Sequence, residues 1–96
     1  MIQVRRTAFF DAWLVGLKDG EARARINARI RRLSLGNPGD VKPVGKGVSE
    51  MRIHYGPGYR VYFVAHGSTV VILLCGGDKR SQAGDIERAI ELAQRI

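Results

Sequence analysis

The stretch from Thr69 to Cys75, TVVILLC, restricts this chain more than any other. Turn residues His66-Gly67-Ser68 precede it and Gly76-Gly77 breaks it. A short apolar run between breakers, rich in β-branched residues, suits a strand. Odd and even positions are equally apolar, so both faces of that strand must be covered. Ninety-six residues leave room for one compact domain, spanning 1–96. The run therefore reads as the centre of a sheet with further elements packed on each side.

The covering elements follow from local signals. Ile2–Arg6 suits a short first strand. Thr7 is an N-cap for a helix carrying Phe9, Phe10, Trp13, Leu14 and Leu17 at helical spacing. Asp19 caps a second helix from Gly20 to about Leu35, with Ala22, Ile26, Ile30 and Leu33 on one stripe. Gly36-Asn37-Pro38-Gly39 ends it. Val41–Gly47 reads as an extended loop punctuated by Pro43, Gly45 and Gly47. Val48–Tyr55 and Tyr59–Val64 form a hairpin around Gly56-Pro57-Gly58. A last helix begins at Ser81 or Ala83, with Ile86, Ala89, Ile90, Ala93 and Ile96 on its apolar face. The predicted class is α+β, in the order β-α-α-β-β-β-α, with an antiparallel meander.

A three-residue loop at 56–58 predicts Tyr55 opposite Tyr59, His54 opposite Arg60 and Arg52 opposite Tyr62. Met51, Ile53, Tyr55, Tyr59, Val61 and Phe63 then share a core face. Arg52, His54, Arg60 and Tyr62, with Glu50, share the other. Arginine forks suit phosphate, tyrosine stacks on a base, and histidine exchanges a proton near neutrality. An ordinary half-exposed sheet face with cross-strand polar pairs explains the same residues equally well.

Charge points the same way. Sixteen Lys+Arg against nine Asp+Glu give +7, with a pI near 10.3. At 45% hydrophobic the chain is a folded basic domain and not a disordered tail, and such a domain favours phosphate-rich or acidic partners. Residues 1–35 hold eight basic and three acidic groups, many of them on the second helix, where a solvated face is the simplest reading. The N-terminal MIQVRRTAFF has no apolar signal region and no stretch reaches membrane-span length, so the cytoplasm is the expected compartment. The single cysteine, Cys75, gives no disulfide and no zinc spacing. No carboxylate cluster or histidine pair suggests a metal, and none is expected.

The segment 76–82, Gly-Gly-Asp-Lys-Arg-Ser-Gln, directly follows the central strand. It lacks the spacing of a phosphate-binding P-loop. It reads as a strand-to-helix turn capped by Ser81, with Lys79, Arg80 and Gln82 emerging beside the positive end of the helix.

Ser49–Phe63 and Leu74–Gln82, followed by Asp85-Ile86 and a short amphipathic helix, resemble the RelE/ParE toxin superfamily, in particular its HigB-like branch of addiction module killer proteins. The resemblance covers the whole chain. It implies the toxin of a type II toxin–antitoxin system, held in a hetero-oligomer by a cognate antitoxin, often a helix-turn-helix protein. It further implies a ribosome-dependent mRNA endoribonuclease that needs no metal or other cofactor. The ribose 2′-OH attacks the adjacent phosphate, leaving a cyclic phosphate and a free 5′-OH. By this resemblance His54 transfers a proton, Arg60 and Arg80 stabilise the phosphorane, and Arg52, Tyr62, Lys79 and Gln82 bind RNA. Ile86 stands where RelE carries a tyrosine, so the general base must be another group. Two other readings are a ParE-like gyrase inhibitor on the same fold, and a non-enzymatic nucleic-acid-binding domain acting through Arg23, Arg25 and Arg29.

Overall fold

The computed structural model describes residues 1–96. The chain runs β1 (Gln3–Arg6), α1 (Ala8–Gly16), α2 (Gly20–Ser34), β2 (Val41–Gly45), β3 (Val48–Ile53), β4 (Tyr59–His66), β5 (Val70–Gly77), a 3-10 turn over Lys79–Ser81, and α3 (Gln82–Gln94). The five strands form one mixed sheet in the order β1-β5-β4-β3-β2. β1 pairs with β5 in parallel, and the other neighbours are antiparallel. The class is the expected α+β.

β5 lies inside the sheet and is covered on both faces. Val71 and Leu73 join Phe10, Leu14, Ile26, Ile30 and Leu33 in the core under α1 and α2. Ile72, Leu74 and Cys75 join Val48, Tyr62 and Ala89 in the core under α3. Strict alternation fails between Leu74 and Cys75 because the β4–β5 register slips there: Tyr62 faces Cys75, but Phe63 faces Leu73. The bulge re-aims the strand end. Gly76 then lies beneath the Trp13 ring and Gly77 beneath Asp85.

The caps form as the side chains dictate. Thr7 accepts from the Phe10 N–H and donates to the Leu74 carbonyl, tying the start of α1 to the central strand. Asp19 accepts from the Glu21 and Ala22 N–H groups at the start of α2. All four residues of the predicted α2 stripe are buried.

Three sequence expectations are corrected. Residues 41–45 are a strand and not a loop. Pro43 is tolerated because β2 is the sheet edge, where a missing N–H costs no ladder bond. β3 ends at Ile53, and the observed register places Ile53 opposite Tyr59, Arg52 opposite Arg60 and Glu50 opposite Tyr62. Tyr55 lies in the turn, where its hydroxyl donates to Asp19 (2.9 Å) and its ring centre lies 4.6 Å from the Arg25 guanidinium carbon. A two-residue shift preserves parity, so every strand side chain keeps its predicted face. Finally, Ser81 makes no side-chain cap bond to α3; it donates to Asp85 Oδ2 (2.5 Å), and Asp78 caps the preceding 3-10 turn.

Candidate active site

On the α3 side of the sheet, register and edge contacts bring Asp40, Arg52, Arg60 and Gly77 into one transverse row. Arg52 donates its backbone N–H to the Asp40 carbonyl (3.0 Å), which extends the β2–β3 pairing by one residue. Its guanidinium reaches Asp40 Oδ1 at 3.1 Å. His54, just beyond the end of β3, lies with Nε2 2.5 Å from the other oxygen, Oδ2. Asp40 is thus shared by a histidine and an arginine. The His54 bond, and then Arg52, hold its carboxyl below the ordinary carboxylate range. An ionised carboxylate only accepts, so Nε2 carries the proton and Nδ1 is the free ring nitrogen.

One row further along the sheet, Glu50 and Tyr62 face each other in the interior. Glu50 is 1% exposed and Tyr62 0%. Glu50 Oε2 accepts from the Tyr62 hydroxyl (3.1 Å) and from Gln82 Nε2 (2.9 Å), and forms an ion pair with Arg60 Nε at 3.4 Å. A buried carboxylate needs such partners to stay charged. Burial and the Glu50 charge push the Tyr62 phenol well above its usual range. Arg60 also donates from Nη1 to the Gly58 carbonyl (3.1 Å). Two contacts leave the fork with further donors.

The 3-10 turn supplies the rim. A Cβ added at Gly58 would lie 3.6 Å from both Arg60 Nη1 and Lys79 Cβ, so the two basic residues converge there. Arg80 is 86% exposed and rests against Asp78 at 3.6 Å. Gly77 keeps this corner compact, because any side chain there would meet Asp85 and Ser81.

Of the residues singled out by sequence, Arg52 and His54 share Asp40, and Arg60 stands opposite Arg52 in the strand register and not opposite His54. Lys79 and Arg80 stand at the rim. One RNA-binding expectation is corrected. Tyr62 has no free ring face for a base, because it is sealed under α3. Gln82 points inward to Glu50. Ile86 is part-buried against the α3-side core, consistent with its apolar character. Asp40 was missed by sequence reasoning, since the loop reading of 41–47 left nothing to bring it beside Arg52. Glu50 carried a signal, a lone acid among basic residues on an alternating strand, but its burial depends on α3. No group of three or more His, Cys, Asp or Glu side chains could hold a metal ion. No helix is long and apolar enough to cross a membrane.

Comparison with known proteins gives two matches. The profile of the phage derived protein Gp49-like family (DUF891) matches residues 12–96. An uncharacterized protein of Haemophilus influenzae is 53% identical over 95 residues, covering 99% of this chain and 96% of the relative.

Proposed function

Because the chain belongs to the phage-derived Gp49-like family, we propose that it is the toxin of a type II toxin–antitoxin pair, acting in the cytoplasm as a metal-independent endoribonuclease on ribosome-bound mRNA. Gp49-like proteins are a toxin-like family of addiction modules, which supports the toxin and a cognate antitoxin as partner. The finer ribonuclease reading draws on the RelE/HigB-like resemblance and on one observation: Asp40 clasps His54 and Arg52 by separate oxygens, with Arg60 directly across from Arg52.

That row combines the two functions cleavage by a 2′-OH requires. His54 Nδ1, free while Nε2 is held by Asp40, accepts the 2′-OH proton. The oxygen then attacks phosphorus and the bond to the 5′ oxygen breaks; that oxygen keeps the bonding pair and takes a proton from water, giving a cyclic phosphate and a 5′-OH end, and His54 returns its own proton to solvent. Arg60, with Arg80 swinging in from the rim, stabilises the negative phosphorane. Arg52 and Lys79 position the backbone. Glu50, Tyr62 and Gln82 aim Arg60 from beneath.

Induction of the toxin followed by primer-extension mapping of mRNA ends tests this reading. New ends within translated messages, abolished by Arg80→Ala and strongly reduced by Arg60→Lys, are expected. Arg80 is suited to truncation because it is exposed, while lysine at 60 preserves a partner for buried Glu50. Growth arrest with no new RNA ends but with a DNA-damage response would overturn the ribonuclease in favour of a gyrase poison.

A further inference from the structure

Arg25, Arg29 and Arg32 recur at helical spacing on α2 and look across to the end of β3. Between them lies a cleft of about 320 Å3 lined by Arg25, Ala28, Arg29, Arg32, Ile53 and His54. The three arginines differ in role. Arg29 is structural: its guanidinium donates to the carbonyls of Arg52 (2.5 Å), Pro38 (2.9 Å) and Asp40 (3.3 Å). It thereby fastens the 38–40 loop to α2, and its Nε, also buried, has no acceptor. Burial, and then the neighbouring Arg32 charge, lower its proton affinity. Arg32 is exposed, with its guanidinium on the rim of the cleft. Arg25 holds its guanidinium carbon 4.6 Å from the Tyr55 ring centre and its Nε 3.6 Å from Glu21.

The floor is of another kind. Ala28 offers a methyl group, and Ile53 is 4% exposed, the edge of the main core. The cleft is thus apolar below, cationic around the rim, and closed at one side by an imidazole. An acidic side chain would use the rim and waste the floor, and a helix is too thick for the volume. A nucleotide uses both, since its base has apolar faces that stack on arginine planes and its phosphate takes the fork. The volume sits at the small end of ligand pockets, about 300–1,000 Å3.

We propose that this cleft is a nucleotide subsite, in which Ala28 and Ile53 carry the base beside Arg25 and His54, and Arg32 with Arg25 holds the phosphate. Its natural occupant, a nucleotide of single-stranded RNA, rests on the ribonuclease reading. His54 belongs to the cleft wall and to the Asp40 row alike. A strand seated in the cleft therefore passes His54 on its way to Arg52 and Arg60.

Titration of the full chain with adenosine 5′-monophosphate, followed by NMR of the Ile53 methyl and His54 ring signals, tests the subsite. Saturable shifts at both are expected. Arg32→Ala and Arg25→Ala each weaken binding about tenfold, or about 1.4 kcal/mol. Arg31→Ala, which removes the same charge from the same helix outside the cleft, changes it less than twofold. Should Arg25→Ala disturb Tyr55, Arg25→Lys keeps the charge without the planar face and lowers affinity for the nucleotide relative to inorganic phosphate. Absence of the Ile53 and His54 shifts overturns the proposal. So does inorganic phosphate or a glutamate-rich peptide binding as tightly as the nucleotide, which would mark a plain anion site or an acidic protein contact. Mapped mRNA ends separate the two readings: nucleotide binding without new ends overturns only the ribonuclease, and new ends without cleft binding overturn only the subsite.

Discussion

Tyr62 donates its phenolic hydrogen to Glu50 across 3.1 Å, in a position where neither residue reaches solvent. The pair sits beneath Arg60, which takes its orientation from the same carboxylate. A buried charge on the sheet thus sets the direction of the basic group above it. Tyr62→Phe removes one of the Glu50 donors and is expected to cost about 1–3 kcal/mol in urea unfolding. The phenol value is raised on folding, so its contribution is complete below the unfolded value near 10 and disappears as pH rises through the folded one. Ultraviolet titration of the native protein should therefore show Tyr62 ionising above the usual phenol range.

Asp40 is the residue whose loss should separate orientation from charge at the row. Asp40→Asn keeps the shape but no longer fixes the His54 proton on Nε2. If His54 is the base, mRNA cleavage should fall by about 100-fold or more, with the fold retained by circular dichroism. Cleavage within a factor of two of the parent would remove His54–Asp40 from the chemistry.

Gly76 and Gly77 each occupy a position where a methyl group has no space. A Cβ at Gly76 would fall 2.2 Å from the Trp13 ring, and one at Gly77 1.8 Å from Asp85 Oδ2. Gly76→Ala must displace a rigid indole packed near Phe10 and Tyr59, and is expected to destabilise by about 1–3 kcal/mol. Trp13 fluorescence should shift to the red as the ring moves toward water. Gly77→Ala meets a carboxylate able to rotate, so its main expected effect is loss of the Ser81–Asp85 bond and a loosened 79–81 turn, read by hydrogen exchange at Lys79 and Arg80.

The Asp19–Tyr55 hydrogen bond predicts a stability plateau with two edges. Tyr55 lowers the Asp19 carboxyl value, and Asp19 raises the Tyr55 phenol value. The carboxylate contribution is present above the unfolded value of about 3.9 and is lost as pH falls through the lower folded value. The phenol contribution is present below about 10 and is lost as pH rises through the higher folded value. Tyr55→Phe should flatten both edges of the melting temperature against pH. An unchanged profile would show that the bond is absent in solution.

Much of the architecture was legible from local pattern. The α2 stripe, the Thr7 and Asp19 caps and the doubly covered β5 all formed where side-chain periodicity and capping chemistry placed them. So did the assignment of Met51, Ile53, Val61 and Phe63 to one face. The site was legible in part: Arg52 and Arg60 share the opposite face, with Lys79 and Arg80 at the rim. Tyr62 was misread because alternation reports which way a side chain points and not whether a helix lies over it.

The amino-acid sequence by itself determined helix stripes, helix starts and strand parity, because these depend on neighbours a few residues apart. Only the tertiary structure decided the two-residue shift of the β3–β4 register, in which Tyr55 bonds to Asp19 thirty-six positions away. It also decided that the Pro43 segment becomes an edge strand, that β1 runs parallel to β5, and that a bulge turns Gly76 toward Trp13. The same long-range closure placed Asp40 against His54 and sealed Tyr62 over Glu50. Those partners meet only when loops close and layers stack, and a repeat of two residues carries no information about what lies across the gap.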